Sequence, residues 1–530
     1  MSSSKIFSGD LPELTYDIIK YLQNDFSTLH SCILVNRLWC RLAISLLWEN
    51  PFSIPTENYN FIEFYLNNLN NESRSKLNEY KINDSNLLPS KTLFNYPSYL
   101  EYLNTWKFIS SVEEWFETLN PRNRYYLQDS DKHSILGFKK LICMLLFKLF
   151  IENEVNLHIF EIDNPTYNSY FEDILELMLQ NPNFTHNIRN LKLYISINHD
   201  SITNTSIKNR ISQVINTHQI LKKIVLCYRS LYLYQSLLLS NNCSNSLNTI
   251  TFYYINFHGI INLDKVFDQL NVLESVHMVY CSSLNNDFIQ QIVNLTKPFK
   301  LKSLFIGEMS QIESLELLLQ KSSNYLENFG YGSGYRYKLP FKQQLSELVI
   351  KYCKNIKFLD LYELDYQIIC LALNLIENIR QNLNYLSIGV CETLFSIGAI
   401  ERSSIILRNL GQHFTFRLEY LCLTLNIKMN DFEIFLKNSQ NTFIKKLLIN
   451  NRGGDDILSC IKENIMKKKR VKYLAIIETT FDEYDENIYE DKELFLLKNE
   501  VKEFELYDII IQEYSDLVIY TNTDFAKKLE

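Results

Sequence analysis

One six-residue pattern, apolar-x-x-apolar-x-apolar, returns twelve times between residues 188 and 506, and it limits what this chain can fold into more than any other feature. It runs from Ile188-Arg-Asn-Leu-Lys-Leu193 through Leu247-Asn-Thr-Ile-Thr-Phe252, Ile356-Lys-Phe-Leu-Asp-Leu361 and Leu418-Glu-Tyr-Leu-Cys-Leu423 to Val471-Lys-Tyr-Leu-Ala-Ile476 and Val501-Lys-Glu-Phe-Glu-Leu506. Successive copies start about 28 residues apart, the spacing of a stacked array. The alternation at the end of each copy is that of a short strand with two apolar side chains facing inward. Between copies lie stretches with helical spacing, such as Tyr170-Phe-Glu-Asp-Ile-Leu-Glu-Leu-Met-Leu179 and Gln311-Ile-Glu-Ser-Leu-Glu-Leu-Leu-Leu319. A single strand-turn-helix unit cannot stand alone. About five buried apolar side chains at about 2 kcal/mol each do not offset the ordering of some 28 residues at about 1–2 kcal/mol apiece. Stacking on neighbours supplies the missing burial, so the fold class expected is α/β: a solenoid with parallel strands on its concave side and helices on its convex side.

This pattern resembles the leucine-rich repeat family, over roughly residues 156–530 if Asn156-Leu-His-Ile-Phe-Glu-Ile162 is the first strand. The family places Asn or Cys three residues after the last strand apolar, where Cys281, Cys391 and Asn426 comply and Ser196 and Thr479 could substitute. Arg229, Ile255 and Leu364 depart from it, so irregular turns are expected there. The outward strand positions are then Lys192, Tyr194, Thr251, Tyr253, His277, Asp360, Tyr362, Ser387, Thr424, Asn450, Glu505 and Tyr507. Polar groups mixed with tyrosines suit a protein or peptide surface. Tyr194, Tyr253, His277, Asp360, Tyr362, Asn450 and Tyr507 form the expected target-binding set.

The first fifty residues carry a different pattern. Asp10 can cap a helix in which Leu11, Leu14, Ile18 and Leu22 share a face, with Pro12 in its first turn and Glu13 three residues after the cap. Asp25 can cap a second helix carrying Leu29, Cys32 and Ile33, and a third starts near Asn36 and aligns Leu38, Trp39, Leu42, Ala43, Leu46 and Leu47. Three such helices make a meagre core. The stretch resembles the F-box motif, in Leu11-Pro12, Glu13, Ile18, Leu22, Leu29, Val35, Arg37 and Trp39, over about residues 8–50; the family often has one residue between the Leu-Pro and its acidic position, and here there is none. The resemblance implies binding to the Skp adaptor and, through it, to a cullin-RING ubiquitin ligase. Leu11, Pro12, Leu14, Ile18, Leu29, Val35 and Trp39 are the expected adaptor-binding residues. The organisation expected is an F-box-like domain at 1–50, a helical linker at 51–155 and a repeat solenoid at 156–530.

Composition removes several function classes. Fifty-three basic against 61 acidic residues give a net charge of -8, which favours neither nucleic acid nor a membrane surface held by basic charge. Eleven cysteines without a CxxC pair, and an opening MSSSKIFSGD without a signal-peptide apolar run, point to reduced thiols and a cytoplasmic protein, with the nucleus left open by Lys467-Lys-Lys-Arg470. The longest apolar run, Leu141-Ile-Cys-Met-Leu-Leu-Phe147, is far short of a membrane span. Gly330-Tyr-Gly-Ser-Gly334 lacks the Gly-Lys-Ser/Thr of a phosphate loop, and the histidines are scattered. No catalytic residue, metal or cofactor is therefore expected, and the reading is a target-binding subunit, the alternative being a leucine-rich repeat scaffold with no link to ubiquitin.

Overall fold

The computed structural model describes residues 12–23, 25–54, 59–78, 92–119, 129–164, 169–195, 202–217, 220–228, 230, 233, 243–307, 311–331, 339–390, 398–414, 417–481 and 489–519. The chain divides into two compact units, the first holding residues 1–248 with 269–272, the second residues 249–268 and 273–530.

The first unit opens with α1 (Pro12–Lys20), α2 (Phe26–Ile33) and α3 (Arg37–Leu47). Each start is capped as its sequence dictates where the cap is described: Asp25 Oδ1 accepts from Thr28 N–H at 2.9 Å and Asn36 Oδ1 from Trp39 N–H at 3.0 Å. Their shared core is Ile19, Leu29, Cys32, Ala43 and Leu46. Trp48, just past α3, ties this trio to α4 (Phe61–Leu66) and to Tyr96. Its ring lies 5.8 Å from Phe64 and 5.2 Å from Tyr65 of α4, both edge-on, and 4.2 Å from Tyr96. The Glu49 carbonyl then accepts from Glu101 N–H (3.0 Å) and Tyr102 N–H (3.1 Å), so the helical start is hydrogen-bonded to the first strand.

That strand, β1 (Tyr102–Asn104), pairs in parallel with β2 (Ile159–Asn164), which pairs with β3 (Asn190–Ile195), which pairs with β4 (Lys223–Tyr228). The parallel ladder thus begins inside the stretch expected to be a helical linker. The long helices Thr105–Leu119 and Asp129–Glu152 form its first crossover. Tyr102-Leu-Asn104 carries only one inward apolar residue, Leu103, too short a signal for the alternation test.

The second unit continues the pattern with β5 (Thr249–Tyr253), β6 (Ser275–Cys281), β7 (Leu301–Ile306), β8 (Asn328–Tyr331), β9 (Phe358–Leu361), β10 (Tyr385–Gly389), β11 (Arg417–Leu425), β12 (Phe443–Arg452) and β13 (Val471–Phe481). Each of these strands pairs in parallel with the next in sequence order. Because every crossover steps in the same direction, right-handed connections put the crossover helices on one side of the ladder and leave the other side bare of them, although Ser303, Phe305 and Phe358 on that side are buried. On the helix side runs an unbroken register of Phe252, Met278, Leu304, Phe329, Leu359, Leu386, Leu421, Leu447 and Leu474. All nine are buried. The outer edge of β13 is closed by β14 (Tyr489–Glu493), which pairs antiparallel with residues 477–481, and by β15 (Ile510–Ile511), parallel to residues 473–474.

Eleven of the twelve sequence copies are strands, and the last is not. Val501-Lys-Glu-Phe-Glu-Leu506 belongs to the helix Lys498–Glu505 and the turn after it. Val501 and Phe504 stand three apart, a spacing a helix satisfies equally, and the strand signal rested on Leu506 alone, which is exposed. No helix among the described residues is long and apolar enough to cross a membrane.

Leu29 is fully buried at the centre of the small α1–α3 core. Leu29→Ala is therefore expected to cost about 2–4 kcal/mol, read as early loss of the α1–α3 amides in hydrogen exchange while the β-ladder amides keep their protection.

Candidate protein-binding faces

At the helical start the apolar residues sort into two groups. Leu29 is core, and Trp39 packs against that core with Leu22, Ile33, Leu42 and Leu47. Leu29 is fully buried, whereas Trp39 is only partly buried, at the edge of the trio. Leu14 and Ile18, one helical turn apart on α1, are each 38% exposed, and Val35 is 50% exposed in the turn between α2 and α3. Its neighbour Leu34, outside the sequence motif, is 80% exposed. Leu11 lies outside the described residues, and Pro12 begins α1.

The bare side of β5–β13 is the second surface. In register across it run Thr251, His277, Ser303, Asn328, Phe358, Tyr385, Tyr420, Lys446 and Tyr473, and beside them Tyr253, Val279, Phe305, Gly330, Asp360, Ser387, Cys422, Leu448 and Ala475. Its first part is a polar ladder. His277 Nδ1 lies 2.7 Å from Ser303 Oγ, which accepts from Asn328 Nδ2 at 2.8 Å. Its second part is aromatic: successive ring centroids are 5.8 Å apart for Phe305–Phe358, 6.3 Å for Phe358–Tyr385 and 6.1 Å for Tyr385–Tyr420. Just past β5 and in β6, Tyr254 (φ 50°) and Tyr280 (φ 54°) hold left-handed backbone, and their rings lie tilted to each other with centroids 5.2 Å apart; a register shift in β6 accommodates Tyr280.

Two glycines make this packing possible. A Cβ on Gly330 would lie 2.6 Å from the Asp360 carbonyl oxygen and 2.8 Å from the Phe305 ring, and a Cβ on Gly389 would lie 2.7 Å from the Tyr362 ring. Between them on β9 sits the half-buried Asp360. Burial pushes its carboxyl up to about 6, against a hydrogen bond from Ser387 that favours the ionised form.

The other expected target-binding residues are placed as follows. Tyr253 is buried at the end of β5, and Asn450, on β12, accepts from Thr479 Oγ1 at 3.4 Å. Tyr194 is buried on β3 of the first unit. There the bare side carries a buried carboxylate, Glu161, which accepts from the Tyr102 hydroxyl and from Asn104 Nδ2 (2.7 Å) and faces Lys192 Nζ at 3.7 Å. Tyr507 and Glu505 are not on a strand face at all: the helix Lys498–Glu505 ends at Glu505 and Tyr507 lies in the following turn. The aromatic row of Phe305, Phe358, Tyr385 and Tyr420 is absent from the expected set, which favours polar outward positions. The alternation that puts Asp360 on this side puts Phe358 there too, so the signal is present in the sequence.

Of the residues expected to tie down turns, Asn426 is buried and donates from its amide to the Arg452 carbonyl, and Cys281 Sγ donates to the Phe252 carbonyl at 3.4 Å. Cys391 lies outside the described residues. The Lys467–Arg470 basic run is engaged locally: Arg470 is buried, donating to the Leu436 carbonyl at 3.0 Å and to Ser439, while Lys467 and Lys469 pair with Glu463 and Asp508. The chain matches no protein-family model and no curated protein.

This surface yields two expected outcomes. Gly330→Ala is expected to destabilise the second unit by about 1–3 kcal/mol, measured by denaturant unfolding, because the methyl meets backbone. For Asp360 the folded carboxyl holds its proton more tightly than the unfolded one, with a pKa of about 6 against 3.8. Stability is therefore lost as pH rises through that window. Asp360→Asn should leave stability unchanged at about pH 4 and raise it by about 1–2 kcal/mol at pH 8, measured as the difference between urea midpoints at the two pH values.

Proposed function

We propose that this protein is the substrate-recognition subunit of an SCF-type ubiquitin ligase. The helical start docks on the Skp adaptor, and the bare strand face holds a target protein. The observation that carries the reading is the division within α1–α3: the core of the trio is closed by Leu29, Leu46 and Trp39, yet Leu14, Ile18, Leu34 and Val35 stay in solvent. A unit this small gains from covering such residues with a partner. Trp48 and the Glu49 hydrogen bonds join the trio to β1, so a partner bound there is held at a defined place relative to the first unit's ladder. No step of bond making is assigned to this chain. Its contribution is proximity, raising the effective concentration of target lysines at the ligase.

The test is co-purification with the Skp adaptor. The intact chain is expected to bind, and a chain carrying Leu14→Asp, Ile18→Asp and Val35→Asp together, all at exposed positions, is expected to lose binding at least tenfold while keeping its thermal unfolding curve. Failure of the intact chain to bind, or equal binding by the triple variant, refutes the assignment.

A further inference from the structure

The bare face of the second unit is covered over β11–β13 by the protein's own chain. After β15, Gln512 N–H donates to the Leu474 carbonyl at 3.2 Å. Residues 513–519 then lie on the bare face, including the single helical turn Tyr514–Leu517. Leu517, 4% exposed, is buried with Tyr420, Cys422, Leu448 and Ala475, and Tyr514, Val518 and Ile519 pack around that cluster. Polar contacts set the position: the Tyr514 hydroxyl is 3.2 Å from Cys422 Sγ and hydrogen-bonds Thr424, and Ile519 N–H donates to the Tyr420 hydroxyl at 3.1 Å.

This segment sits on the ladder without belonging to it. Its backbone bonds include the local turns of Asp516 N–H to the Glu513 carbonyl and Val518 N–H to the Tyr514 carbonyl, and the bond to the Tyr420 hydroxyl. It is anchored by side chains, and its link to the array is the two-residue pairing of β15 with β13. Strands β11–β13 present Cys422, Leu448 and Ala475 in one row, all apolar, beside Tyr420, Lys446 and Tyr473 in the other. A strand face of that composition is built to be covered.

We propose that this patch of β11–β13 is a peptide-recognition site, that residues 513–519 are its intramolecular occupant, and that the target protein is held there by a segment of the same chemistry: a tyrosine, then leucine three residues on, then two aliphatic residues. The proposal rests on the reading that the bare face holds the target, and names what kind of target segment it takes. The resident segment has to leave before a target segment enters. Tethered by a short connection, it competes at an effective concentration on the order of millimolar, so a target segment binds weakly until the resident one is displaced.

The probe is a fluorescein-labelled synthetic peptide with the sequence of residues 513–519, Glu-Tyr-Ser-Asp-Leu-Val-Ile, titrated with the full chain and read by fluorescence anisotropy. The intact chain is expected to bind it weakly. The full chain carrying Leu517→Asp, which removes the anchor and leaves every residue of the face in place, is expected to bind at least tenfold more tightly, and to ignore a peptide whose leucine is replaced by aspartate. Equal affinity of the two chains for the probe, or equal affinity of the variant for both peptides, overturns the proposal. Should Leu517→Asp lose its cooperative unfolding transition, hydrogen exchange on the intact chain decides: the amides of residues 514–519 are expected to exchange at least a hundredfold faster than those of Leu447, Leu448 and Ile449. Exchange at the same rate makes the segment a permanent part of the core and overturns the proposal. Neither measurement involves the adaptor. Peptide recognition without adaptor binding refutes the ligase assignment alone, and adaptor binding without peptide recognition refutes this site alone.

Discussion

Everything in the second unit depends on one row of side chains, the register from Phe252 through Leu359 and Leu421 to Leu474. A parallel ladder can be propagated strand after strand only if each crossover helix finds an apolar surface to close on, and this row provides that surface at every step. Its continuity also explains what happens on the opposite side. With the helices committed to one side by the handedness of their connections, the other side must solve its exposure strand by strand. It does so in three ways: a polar ladder at His277, Ser303 and Asn328, aromatic rings from Phe305 to Tyr420, and a covering segment over Cys422, Leu448 and Ala475.

The helical start is stabilised differently. Its core is a handful of residues, and its stability within the first unit draws on the aromatic cluster of Trp48, Phe52, Tyr65 and Tyr96. Those rings let α1–α3 leave aliphatic side chains in solvent without falling apart. A free-standing trio of this size would have to turn Leu14 and Ile18 inward.

Most of the ladder is legible in the sequence because repetition averages out local ambiguity: one Leu-x-x-Leu-x-Leu is weak, but eleven strands in step are not an accident of composition. Where repetition stops, legibility stops with it. β1 has a single inward apolar residue and reads as linker, while the Val501 copy satisfies helix and strand spacing alike and is a helix. The binding faces are half legible. Alternation places Thr251, His277 and Asp360 on the bare side correctly, yet it cannot show that Leu29 lies inside a three-helix core while Trp39 packs at its edge, since a helical wheel gives an apolar stripe without saying which part of it meets protein. Nor can any local pattern reveal the covering segment, whose contacts reach back 92 residues from Tyr514 to Cys422.

The way the array stops also has a consequence. β14 runs against the direction of β13, pairing with its residues 477–481, and β15 takes residues 473–474 of the same edge. A further parallel strand cannot pair with residues 477–481 of β13 while β14 is in place. A strand added against that part of β13 would have to displace β14, so a longer version of this face arises more simply by duplication between existing strands.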